Sequence, residues 1–326
     1  MDDAESRFQE GMKHIGLSRH ADYHSEYVGD LEDAVHCFDR ALALDPSHAG
    51  ALSEKGTALA ALGRHVEAVQ ALEQALGFRP DDADLWLEQA GALYGVGRDA
   101  DALAACDAVL RLRPGDADAT FRRAEALDRL RRDVEALAAW QAFLQIPDTR
   151  TFNFHGAKLR WITGDVRRAR ASFATAGALA RLGRRDEALG CYRALLEEGA
   201  ATTLSTSEYL SAALACDETA RVAYQAYIEG RAADSQAWRT AGGLWLRAAR
   251  PEDALAAYER AIQLAPADPD GWYGKAEALF QAGRRVDAIA AYREALRIKP
   301  DHYSSARLNR VLKEIGREQS DARGSG

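Results

Sequence analysis

Small and apolar residues return along this chain at a fixed interval. Ala34, Ala68, Ala102 and Ala136 stand 34 residues apart, as do Ala254 and Ala288. Four places after each comes an aromatic or apolar residue: Phe38, Leu72, Cys106, Trp140, Tyr258 and Tyr292. Twelve places before most of them lies a small one: Gly56, Ala90, Ala124, Gly242 and Ala276. Pro46, Pro80, Pro114, Pro266 and Pro300 keep the same beat. Such self-similarity at a period of a few tens of residues is the mark of a repeat array.

Each period predicts two antiparallel helices. Around Asp84–Tyr94, Trp86, Ala90 and Leu93 fall at helical spacing, and Gly97 can take the left-handed conformation that closes a helix. A second helix begins near Asp99 and carries Ala102, Cys106, Val109 and Leu110. Pro114 ends it, because proline disfavours helical geometry in the residue before it, and the acidic residue that follows caps the next helix. Ala90 and Ala102 are small so that the two helices can cross closely. The fold class is therefore all-α.

These positions resemble the tetratricopeptide repeat. The best copies are Ser235–Asp268, with Trp238, Gly242, Ala254, Tyr258, Ala261 and Pro266, and Pro269–His302, with Trp272, Ala276, Leu279, Ala288, Tyr292, Ala295 and Pro300. Ala49–Asp82, Ala83–Asp116 and Ala117–Asp148 follow the pattern, the last with its proline one place early at Pro147. The resemblance implies a right-handed α-solenoid of about nine helix pairs.

Two stretches break step. Gly11 and Ala34 lie 23 apart where other copies have 12, so about eleven extra residues centred on Leu17–Tyr27 lengthen the first repeat's turn or its helix. In the middle, Ala136, Ala169, Ala188, Ala220 and Ala254 give steps of 33, 19, 32 and 34. The step of 19 is one helix, so a three-helix unit is expected over Thr151–Glu198, with Val166–Leu182 readable as the second helix of one repeat or the first of the next. The expected organisation is a degenerate first repeat over 1–48 with its insertion at 17–27, and three regular repeats over 49–148. Irregular repeats with the extra helix follow over 149–234, then two regular repeats over 235–302, a capping helix over 303–316 and a disordered tail over 317–326.

Composition narrows the function. The chain is 47% hydrophobic and 28% charged, with net charge −8, which argues against nucleic-acid binding and an anionic-membrane anchor. Its arginine-over-lysine, alanine-rich usage points to a high-GC bacterial genome. An acidic start and the lack of a long apolar run point to the cytoplasm. Cys37, Cys106, Cys191 and Cys216 lie far apart, without zinc-ligand or disulfide spacing, and read as core thiols. His20 and His24, with Asp22 between and Glu26 after, could share a helix face, but the motif is short and lacks the HExxH glutamate geometry, so no metal and no cofactor are expected. His36, His48, His65, His155 and His302 read as solvated surface. The arginine pairs, such as Arg131-Arg132 and Arg284-Arg285, fall in turns, where they can favour a helix C-terminus. No nucleophile–base constellation or phosphate loop is present, and the chain reads as a non-enzyme.

What remains is the surface lined by first helices, which the resemblance marks as the partner-binding groove. Carrying the groove positions over gives Leu87, Tyr94, Phe121, Arg122, Glu125, Asp128, Arg129, Arg239, Tyr273, Glu277 and Phe280. Leu87, Tyr94, Phe121, Tyr273 and Phe280 are large apolar side chains where repeat packing does not demand them, which suits a peptide or helix partner. The family's clamp for chaperone tails is excluded: its cationic and amide places hold Ser53, Thr57, Glu88 and Asp118, and only Arg122 matches. The function expected is a protein-interaction scaffold. The alternative is a regulatory subunit of a bacterial enzyme complex, docked through the N-terminal insertion.

Overall fold

The structure is a computed structural model that describes residues 3–18, 24–147, 164–197, 204–301, 303–311 and 313. Every regular element among them is helical. The elements are α1 (Ala4–Ser18), α2 (His24–Leu44), α3 (Ala49–Ala61), α4 (His65–Phe78), α5 (Ala83–Val96), α6 (Asp99–Leu112), α7 (Ala117–Arg129), α8 (Asp133–Gln145) and α9 (Gly164–Arg181). They continue with α10 (Arg185–Glu197), α11 (Leu204–Cys216), α12 (Glu218–Glu229), α13 (Ser235–Arg247), α14 (Pro251–Leu264), α15 (Pro269–Gln281) and α16 (Arg285–Ile298). A final helical stretch covers 304–311. The chain forms two compact units, Met1–Leu182 and Gly183–Gly326.

In the first unit each helix from α1 to α9 packs on the next, so first and second helices alternate in line. The 34-residue signature explains the packing. The residue four places after each alanine fills the core: Trp140 is 1% exposed, and Phe38 and Leu72 are fully buried. The small residue opposite makes room for it. A Cβ on Gly56 would stand 2.6 Å from Leu72, and one on Gly242 in the second unit would stand 2.6 Å from the Tyr258 ring. The aromatic series Trp140, Phe173, Tyr192, Tyr224, Tyr258 and Tyr292 is buried throughout.

Helix ends follow the local chemistry. Asp82, Asp116, Asp234 and Asp268 accept hydrogen bonds from first-turn amides of α5, α7, α13 and α15. His48 does the same for α3: its Nδ1 accepts from the Ala51 N–H at 3.1 Å while its Nε2 stands 3.3 Å from Glu5. His48 therefore joins α1 to α3 and is not the solvated side chain expected. The turn arginines also differ from expectation. Arg64, Arg98, Arg132, Arg250 and Arg284 sit at the N-caps of second helices. Each pairs with a carboxylate three residues on, at Glu67, Asp101, Glu135, Asp253 or Asp287. Arg184, with Glu187, makes the same pair just before α10. The acid in the first turn suits the positive helix end and brings the arginine with it.

The first repeat's surplus lengthens α2, which runs to 21 residues; residues 19–23 of the insertion lie outside the described residues. Helix α9 packs on α8 as α7 does on α6, and so takes the place of a first helix. Residues 148–163, which would carry the rest of the expected three-helix unit, lie outside the described residues, as do His20, His155, His302 and the 314–326 tail. In the second unit, α10 packs directly on α12, and α11 packs on both α12 and α13. Asp217 alone forms the turn between α11 and α12; it caps α12 through the Thr219 amide and accepts the Tyr192 hydroxyl at 2.7 Å. Cys37 and Cys106 are buried, and burial pushes the Cys106 thiol up to about 12. Cys191 is half-buried and Cys216 exposed, so the core reading holds for two of the four.

Candidate functional site

The first-helix face has different characters along its length. On α5, Leu87 and Tyr94 are half-buried. Leu87 packs beside Ala83, Val109 and Ala119. The Arg129 guanidinium lies 4.3 Å from the Tyr94 ring centroid, and its Nε bonds Asp99 at 3.1 Å. The neighbouring groove positions are small: Ser53, Thr57 and Ala60 on α3, and Gly91 on α5. The Arg122 guanidinium lies over Gly91, where a Cβ would meet its Nη1 at 3.3 Å.

On α7 the face is closed. Phe121 is 5% exposed, packed edge-on against Trp140 and Phe143, with Arg167 at 4.8 Å and Arg170 at 5.5 Å from its ring. The expectation that it stands free as an anchor is therefore corrected: α9 covers it. Glu125 is buried and ion-paired with Arg170, and burial raises its carboxyl above the usual range. Asp128 pairs with Arg181, which also bonds Asp133 at 2.7 Å, and Arg167 reaches Asp118 at 2.5 Å. Of the charges expected to meet a partner, Glu125 and Asp128 meet α9.

The second unit repeats the theme. Arg239 on α13 bonds Asp268 at 3.0 Å and Asp270 at 2.8 Å. Asp270 in turn accepts the Tyr303 hydroxyl at 2.9 Å, and the Tyr303 ring stands edge-on to Tyr273 at 4.6 Å. Glu277 accepts from Tyr292 at 2.5 Å and from the Arg307 Nε at 2.9 Å. The Arg307 guanidinium also lies 4.6 Å from the Phe280 centroid. Tyr273 is raised by burial and by Glu277 beside it. Leu308 and Val311 of the final stretch pack with Tyr273 and Phe280 on the α15–α16 core.

The covering residues Arg167, Arg170, Arg181, Tyr303 and Arg307 escaped the sequence reading. Their signal is faint, because the period leaves the register of α9 open and the apolar stripe of the last helix does not mark its polar residues. Among the described residues no group of histidine, cysteine and acidic side chains could hold a metal ion, and no helix is long and apolar enough to cross a membrane.

Stacked helix pairs with small-residue crossings and a face of first helices define a helical-repeat scaffold. A family model described as tetratricopeptide repeat matches residues 26–83, 87–149 and 244–303, more than half of the chain. The chain belongs to the tetratricopeptide repeat family, whose members serve as scaffolds for protein interaction. No curated protein matches it in sequence. Among solved structures it is similar to a tetratricopeptide repeat protein from Parabacteroides merdae, at 14% identity over 95% of this chain and 97% of that one, TM-score 0.49. A thermophilic TPR protein of Thermus thermophilus aligns at 20% identity over 65% and 99%, TM-score 0.39. Yeast Tom70 aligns at 12% identity over 99% and 65%, TM-score 0.47.

Proposed function

We propose that this protein is a non-enzymatic scaffold that holds a partner peptide or helix on the first-helix face of α5. One observation carries the reading: Leu87 and Tyr94 stay half-exposed beside the small residues Ser53, Thr57, Ala60 and Gly91. Large side chains beside small ones make a recess, and burying an aromatic anchor in a recess is how interfaces concentrate their affinity. Arg129 over Tyr94 and Arg122 over Gly91 border this stretch, so the partner's contacts at α5 are apolar first and charged second.

The test is a photo-crosslinking residue placed at Leu87 or Tyr94 in source cells, with exposed Gln141 on α8 as the control position. A discrete adduct from both groove positions and not from the control is expected, and its loss on Leu87→Ala with Tyr94 labelled. Equal adducts at all three positions would remove α5 as the binding face.

A further inference from the structure

A recurring ion pair joins three of the first helices, α3, α7 and α15, to the second helix before each. Lys55 on α3 reaches Asp39 on α2 at 2.5 Å, Arg123 on α7 reaches Asp107 on α6 at 2.7 Å, and Lys275 on α15 reaches Glu259 on α14 at 2.9 Å. Each cation stands seventh in its 34-residue repeat and each carboxylate twenty-fifth in the one before. At the joint of α4 and α5 those places hold Glu73 and Gln89. Gln89 is 6% exposed, and its Oε1 is buried with no hydrogen-bond partner. The cation that three other joints carry at this place is therefore replaced by a neutral amide, and its buried oxygen without a donor is destabilising.

Arg98 of α6 does not fill the role. It lies 3.7 Å from Glu73 but bonds Asp101 at 2.7 Å. Arg64, the same residue one repeat earlier, interacts electrostatically with Asp39, and Lys55 pairs with Asp39 nonetheless.

The joint also carries a cavity of about 430 Å³, lined by Trp86, Gln89, Leu93, Ala104, Ala105 and Ala108, with Glu73, Asp101 and Asp107 against Arg98 and Arg111 at its charged positions. Trp86 stands fourth in its repeat, and its indole N–H is bonded to the Pro80 carbonyl at 2.7 Å, which fixes the ring. In the last repeat the chain shows what such a site accepts: the Lys275 ammonium lies 5.7 Å from the centroid of Trp272, the equivalent tryptophan, while it pairs with Glu259. Alanines and an indole face suit an aliphatic stem, and a carboxylate with an amide oxygen suits its charged end.

We propose that the α4–α5–α6 joint is a receptor for one lysine or arginine side chain of a partner peptide, held by Glu73 and Gln89 against Trp86. It uses a different stripe of α5, that of Trp86, Gln89 and Leu93, from the one of Leu87 and Tyr94. Gln89→Lys supplies the cation within the chain, as the other joints do, and closes the site.

The experiment selects a random 12-residue peptide library on the full wild-type chain with counter-selection on Gln89→Lys. The peptides that discriminate are expected to share a lysine or arginine. Replacing that residue by norleucine, or Glu73 by Gln in the protein, weakens them about tenfold or more, the scale of a charge-assisted hydrogen bond. Tyr94→Ala leaves them unchanged, which separates this site from the groove. Should Gln89→Lys fail to fold, Glu73→Gln serves as the counter-selecting protein. Failure to recover discriminating peptides overturns the proposal, as do discriminating peptides without a common cation.

Discussion

The turn between first and second helices offers a direct test of how the repeats close. At four of these turns a glycine takes a left-handed conformation, with φ of +76° at Gly63, +83° at Gly97, +76° at Gly183 and +78° at Gly283. At the equivalent turns of two other repeats the chain places Arg131, at φ +58°, and Ala249, at φ +55°. A residue with a Cβ costs about 1–2 kcal/mol in this region. Glycine gives back about 0.4–1 kcal/mol through its freer unfolded chain. Both side chains are exposed, so nothing is lost with them. Arg131→Gly and Ala249→Gly are each expected to stabilise by about 0.5–1 kcal/mol, which is a rise of about 2–4 °C in Tm for 1 kcal/mol in a chain of this size. Urea unfolding followed by circular dichroism reads the first quantity, and hydrogen exchange at the α7–α8 turn locates it. Gly97→Ala is the reverse control and should destabilise by about 1 kcal/mol. If Arg131→Gly lowers stability while Gly97→Ala leaves it unchanged, the steric account of these turns fails.

Three further outcomes follow from packing and charge. Gly274→Ala drives a methyl into the Tyr258 ring, which is wedged between Gly242 and Gly274, and should cost about 1–3 kcal/mol in urea unfolding despite alanine's better helix propensity. The Glu125 carboxyl is raised by burial, so its contribution to stability is full below the usual carboxylate value and is lost as pH rises through the folded one. Glu125→Gln should therefore gain in Tm relative to the wild type as pH rises above the usual carboxylate value, and a difference that does not vary with pH would contradict this. His48→Ala removes the N-cap of α3 and should cost about 1 kcal/mol, with exchange of the Ala51 amide accelerated.

The sequence made the repeat architecture legible because one packing rule is written over and over. A bulky residue in the second helix needs a small one twelve places before its alanine, and the pair Gly242–Tyr258 shows the rule as plainly in coordinates as in letters. The face was legible only in part. Phe121 and Tyr94 occupy equivalent stripes, yet one is buried and the other is not, because α9 brings Arg167 and Arg170 onto α7 and no pattern inside α7 records that. Position within a repeat says which way a side chain points. What stands opposite depends on the next helix, and the register of α9 was the one the period left open.

That dependence explains why charge on the first-helix face is a poor guide to a partner in this protein. Asp118, Glu125 and Asp128 would read as a carboxylate stripe on α7 alone, but Arg167, Arg170 and Arg181 meet them one for one. Glu277 is met by Arg307, and Asp268 with Asp270 by Arg239. A partner that competed for these groups would have to break a pair already formed in place, so each new ion pair would gain little net free energy. On the function proposed here, recognition falls where the chain leaves a requirement unmet. Leu87 and Tyr94 are half-exposed, and the Gln89 Oε1 beside Glu73 has no hydrogen-bond partner. Both involve α5, on different stripes of the helix, so a partner that engaged the two together would gain from linked contacts.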